Sequence, residues 1–88
     1  MPMPNQPPDR DASLVALGRA VRRLRLEAKL SQQRLAMEVE VDPTYISRIE
    51  TGRSNISFSA MRRISRALSV PAWRLVQLIE AMEQDQGD

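Results

Sequence analysis

Two helix-start signals stand so close together that the segment between them can fold in only one way. Ser31 offers a side-chain acceptor for the first free N–H groups of a helix over Gln32 to Val39. Asp42 repeats the signal, and Pro43 follows it at the first helical position, where its missing N–H costs nothing. That second helix runs to about Glu50, and Gly52 closes it because glycine accepts a positive φ. Each helix is short, and only Glu40, Val41 and Asp42 join them. Helices on so short a link do not lie comfortably antiparallel, so they meet at a steep angle. Leu35, Ala36 and Val39 supply the inward face of the first, Ile46 and Ile49 that of the second.

Helical periodicity continues on both sides. Leu14, Leu17, Val21, Leu24 and Ala28 form one stripe of an amphipathic helix that Asp11 or Ser13 can cap and that fades near Lys29. Residues 51–56 are a turn. Ser57 can cap a fourth helix, with Phe58, Met61, Ile64, Ala67 and Leu68 on one side and Arg62, Arg63 and Arg66 as a solvated face. Pro71 opens a fifth helix that extends to about Glu83. No strand-like alternation interrupts the series. The expected organisation is a leader over residues 1–12, with four of the six prolines, a helical domain over 13–83 and an acidic tail over 84–88.

Composition narrows the chemistry. With no cysteine and no histidine, the usual zinc ligands, the Cys–His and Ser–His catalytic pairs and disulfides are excluded. No clustered carboxylates or glycine-rich phosphate loop suggests a reaction, so neither an enzyme nor a metal or other cofactor is expected. No apolar run or signal segment points to a membrane, and a reducing cytoplasm fits best. The net charge is only +2, but it is unevenly placed. Residues 19–74 carry twelve basic residues against five acids, whereas Glu80, Glu83, Asp85 and Asp88 close the chain with no base among them. Twelve of the thirteen basic residues are arginine, which suits bidentate phosphate and guanine contacts; codon bias in a GC-rich genome is the plain alternative.

Taken with SQQRLA, YISRIETGRSNIS and the five-helix layout, the stretch from Gln32 to Thr51 resembles the helix-turn-helix of the phage-repressor-like (XRE-type) family. The resemblance covers about residues 14–80 and implies an all-α, compact five-helix, lambda-repressor-like DNA-binding domain. It also implies a partly buried ion pair between Arg25 and Glu50. TYISRIETGRSNIS is most similar to the short controller proteins of restriction–modification systems, which are dimeric regulators. One departure is Glu40, where the family often has glycine; a non-glycine residue at positive φ costs about 1 kcal/mol.

Such a motif lays its second helix in the major groove of double-stranded DNA and reads bases with residues near that helix's N-terminus. Pro43, Thr44, Ser47 and Arg48 are the expected base contacts, with Arg48 placed for a bidentate bond to guanine. Gln32, Arg34, Tyr45, Arg53, Ser54 and Asn55 are the expected phosphate contacts, setting register more than specificity. On the fifth helix, Ala72, Trp73, Leu75, Val76, Ile79 and Met82 make more apolar surface than a single protomer needs, and a homodimer interface is expected there. The function expected is sequence-specific transcription regulation on an inverted-repeat operator, as repressor or activator. An activator needs a surface for RNA polymerase, for which Glu38 and Glu40 are the candidates. The alternative is an antitoxin-like interaction module whose DNA binding is secondary.

Overall fold

The computed structural model describes residues 11–86; the leader up to residue 10 and residues 87–88, with Asp88 of the acidic tail, lie outside them. Five helices follow one another: α1 (Ala12–Glu27), α2 (Gln32–Val39), α3 (Pro43–Glu50), α4 (Phe58–Ala67) and α5 (Ala72–Gln86). The fold is all-α. No helix among the described residues is long and apolar enough to cross a membrane.

Local chemistry sets the helix ends. Asp11 accepts from the backbone N–H groups of Ser13 and Leu14, Ser31 from Arg34, Asp42 from Thr44 and Ser57 from Ala60, at 2.8–3.2 Å. Each cap satisfies donors that the first helical turn leaves free. The exits are equally uniform. Lys29, Glu40, Gly52 and Ser69 all take positive φ, between 61° and 77°. The following N–H then reaches back to a helix carbonyl: Leu30 to Arg25, Val41 to Ala36, Arg53 to Arg48 and Val70 to Ser65. This is the Schellman closure. Three of the four left-handed positions are not glycine, and each carries the associated strain.

The core is built from Leu17, Val21 and Leu24 of α1, Leu35, Ala36 and Val39 of α2, Ile46 and Ile49 of α3, Ile64 of α4 with Leu68, and Leu75 and Met82 of α5. α1 lies against α5 and α3, α2 against α3 and α4, and α4 against α5. One residue fixes the α1–α3 crossing. A Cβ on Gly18 would stand 2.3 Å from the carbonyl oxygen of Ile49 and 2.7 Å from that of Glu50. Only glycine lets the two backbones come this close.

Four expectations require correction. Phe58 is 71% exposed rather than inward. It is the first residue of α4, and the buried positions of that helix begin only at Ala60. Ala28 is also exposed, because α1 ends at Glu27 and the chain turns away there. Leu75 and Met82, expected at a dimer surface, are instead buried within the single chain. They belong to the same buried cluster as Leu17, Val21 and Leu24 of α1, the helix against which α5 packs. α5 also continues to Gln86, three residues past Glu83.

Candidate nucleic-acid interface

The orientation of α3 follows from its two isoleucines. Ile46 and Ile49 are fully buried, so the opposite side of the helix must face outward. Pro43, Thr44 and Arg48 are exposed there, and Tyr45 and Ser47 are half-buried at the edges. The N–H of Thr44 is taken by the Asp42 cap, and the side chain of Thr44 lies on the exposed side of the helix. The same bond holds the Asp42 carboxyl below the usual aspartate range. No carboxylate lies within ion-pair distance of Arg48 among the described residues. Its guanidinium therefore projects from α3 with its donors uncommitted to an acid. Thr51 donates its hydroxyl to the carbonyls of Ser47 and Arg48, closing the last turn beneath that surface.

A buried polar cluster anchors this helix. Arg25 donates from Nε to Glu50 Oε2 at 2.6 Å and from Nη2 to Glu50 Oε1 at 2.9 Å. Its third nitrogen, Nη1, donates to the Leu30 carbonyl at 2.8 Å. The side chains are only 8% and 3% exposed, so water contributes little and the bidentate geometry must offset the desolvation. The hydrogen bond to Glu50 raises the Arg25 pKa against the opposing effect of burial. Gln32, at the start of α2, joins the cluster by donating Nε2 to Glu50 Oε1 at 2.9 Å. The cluster thus ties the ends of three helices: the last turn of α1, the first of α2 and the last of α3.

The other residues named from the sequence are placed as follows. Gln32 is half-buried, with its side-chain amide turned to Glu50. Arg34 is exposed and paired with Glu38 at 3.1 Å, an i,i+4 contact weak enough to exchange for another anion. That pairing occupies one of the two acids named for RNA polymerase; the other, Glu40, is the left-handed residue of the turn. Arg53 and Asn55 are exposed and Ser54 is half-buried, while Asn55 Oδ1 accepts from the Ile56 N–H at 2.8 Å. On α5, Trp73 is 65% and Val76 39% exposed, with Ala72 and Ile79 half-buried beside them. The expected dimer surface is reduced to those four.

Two contributors escaped the sequence reading. Gly18 sets the approach of α1 to α3, and only its place inside an apolar helical pattern could have flagged it. Arg63 reaches from α4 to the carbonyl of Val39 at 3.4 Å, placing a cation at the C-terminus of α2. α2 has no basic residue of its own in its last turn. Nothing in the local pattern points Arg63 there.

Two short helices at a tight left-handed turn, with an outward face on the second, define a recognisable motif. Residues 16–78 match the helix-turn-helix domain family. The chain belongs to the helix-turn-helix domain family. Within it, the chain is 34% identical over 67 residues to control protein C.MunI of a Mycoplasma species, spanning 75% of this chain and 90% of that one. It is 44% identical over 54 residues to control protein C.BamHI of Bacillus amyloliquefaciens, spanning 60% and 67%. Among solved structures it is similar to the restriction-modification controller protein C.AhdI of Aeromonas hydrophila, with a TM-score of 0.71, 33% identity and coverage of 73% and 97%. The clp gene regulator ClgR of Corynebacterium glutamicum superimposes with a TM-score of 0.83 at 25% identity, covering 85% and 80%. This helix-turn-helix protein is a DNA-binding transcriptional regulator, and the relatives named here are regulators rather than enzymes. Its α2 and α3 are the motif's two helices.

Proposed function

We propose that the regulator acts as a homodimer on an inverted-repeat operator and governs a restriction–modification system. The outward face of α3 carries the reading. Pro43, Thr44 and Arg48 are exposed on it with Ser47 at its edge, and Arg48 has no acidic partner among the described residues to release first. Arg48 contacts guanine through both O6 and N7; Thr44 presents a hydroxyl and a methyl to the next base. Gln32, Arg34, Tyr45, Arg53, Ser54 and Asn55 hold the phosphates on either side and set the register. Because the Gln32 amide already donates to Glu50, its backbone N–H at the helix N-terminus makes the anion contact.

Trp73 and Val76, flanked by Ala72 and Ile79, form the dimer contact. Large apolar residues left exposed on one helix face favour a partner, and a two-fold copy is the commonest. Such a dimer places its two recognition helices about 34–36 Å apart, one DNA turn.

Selection from random duplex DNA at a stated salt concentration tests the reading. Wild type should enrich an inverted repeat. Arg48→Ala should lose preference at one position per half-site, by about 1–3 kcal/mol. Weak, salt-sensitive binding with no enriched sequence would reject it. Trp73→Asp should convert a dimer to a monomer in sedimentation without unfolding it. A wild-type protein that is monomeric at high micromolar concentration would remove the dimer.

A further inference from the structure

The face of α1 turned away from α3 has no part in the reading above. Gly18, Val21 and Arg25 form the side of α1 that meets α3 and the buried cluster. Arg19, Arg22, Arg23, Leu26 and Glu27 recur at the 3- and 4-residue spacing of a different stripe, roughly a quarter-turn or more around the helix. With Met82 of α5 they line a shallow groove of about 630 Å³ whose walls are mainly apolar. The size is that of a small-ligand or side-chain pocket. Leu26 is 54% exposed, a large apolar side chain left half in solvent. The long stems of the arginines supply the rest of the apolar wall and hold their charged ends at the rim.

Charge says what fits. Arg23 is paired with Glu27 at 3.3 Å, in an exposed contact of little strength. Arg19 and Arg22 have no carboxylate within ion-pair distance among the described residues. The groove therefore joins an apolar floor to a rim with a surplus of two positive charges. DNA would use the rim and leave the floor wet, since phosphates offer nothing to Leu26 and Met82. An uncharged apolar ligand would leave the rim unused. A helix with one apolar stripe between acidic residues uses both.

We propose that the α1–α5 groove docks an acidic amphipathic helix of a partner protein, with an apolar side chain between Leu26 and Met82 and carboxylates on Arg19 and Arg22. The site is separate from α3 and from the Trp73–Val76 stripe. A partner could therefore bind while the regulator is on DNA. The proposal does not depend on which operator is read or on the dimer.

The probe is a blocked 16-residue helical peptide with leucines at i, i+3 and i+7 and glutamates flanking them. It is titrated into the ¹⁵N-labelled full chain. The expected result is amide shifts confined to residues 19–27 and to Met82 and its neighbours, with binding weakened at least tenfold by Leu26→Ser and by Arg19→Glu with Arg22→Glu. All of these positions are exposed, so the variants should keep the wild-type melting midpoint, and the uncharged Leu26→Ser should keep the wild-type operator affinity. Replacing the peptide's glutamates by glutamine, or scrambling its sequence, should abolish the shifts. Absence of shifts at millimolar peptide would overturn the proposal, as would equal binding of the scrambled or glutamine peptide. Displacement of the peptide by an operator-free duplex would assign the rim to DNA instead. The same shifts appearing with protein concentration alone would make a second copy of this chain the occupant. Either outcome would also reject the proposal.

Discussion

Gly18→Ala should destabilise the protein even though alanine is the better helix former. In an exposed helix interior the change stabilises by about 1 kcal/mol. Here the new methyl would sit 2.3 Å from the Ile49 carbonyl oxygen, 2.7 Å from that of Glu50 and 2.9 Å from the Glu50 carbonyl carbon. All three are backbone atoms, so no rotamer change relieves them. Restoring even 3.0 Å, below which real Cβ contacts are essentially not seen, requires α1 and α3 to part by about 0.7 Å. Ile46 and Ile49 are fully packed on the same interface, so the movement opens gaps around them. Overpacking of this kind costs about 1–3 kcal/mol, and rigid neighbours place it at the upper end. After the propensity gain the net loss is about 2 kcal/mol. For a domain of this size that lowers the melting temperature by roughly 10 °C. Thermal unfolding followed by circular dichroism reads this directly, at fixed protein concentration because association would shift the midpoint. Operator affinity should fall as well, since α3 is the helix displaced. A midpoint equal to or above wild type would show that helix propensity wins and that α1 and α3 do not pack this closely.

Glu50→Ala should cost about 3–5 kcal/mol by leaving Arg25 buried without its carboxylate, while any folded fraction keeps the wild-type base preference; an unchanged melting midpoint would refute the structural role. Glu40→Gly should stabilise the fold by up to about 1 kcal/mol, read as a raised urea midpoint, because glycine relieves the positive φ of the turn. A lowered midpoint would show that the left-handed turn is not strained. The Asp42 carboxyl is held below its unfolded value by the Thr44 N–H. Its contribution is therefore complete above about pH 4 and is lost as the pH falls through the lower folded value. Asp42→Asn, which still caps the helix, should remove that part of the acid-side loss in stability. Identical pH profiles for the two proteins would count against the cap as its source.

The helix inventory and its punctuation were legible in the chain itself. Ser31, Asp42 with Pro43, Ser57 and Gly52 act within a turn of their own positions, so their roles survive whatever the rest of the molecule does. The 3- and 4-residue spacing of Leu17, Val21 and Leu24, and the pair Ile46 and Ile49, likewise required nothing distant. The Arg25–Glu50 contact was different: its partners lie 25 residues apart, and only the family resemblance suggested it. What no local pattern contained was which neighbour each stripe would meet. α5 carries apolar residues on more than one side, and the position of α1 decides that Leu75 and Met82 turn inward while Trp73 stays out. Phe58 looked like core because it begins an apolar series; its place at the very start of α4, ahead of the first buried residue Ala60, leaves it in solvent. Gly18, Arg63 and the amide of Gln32 gain their roles from atoms 18 to 32 residues away, brought near only by the packing of helices. Periodicity specifies that a helix has an apolar side. Close packing among several helices decides how wide that side is, and which residues at its edges are left for DNA or for a partner.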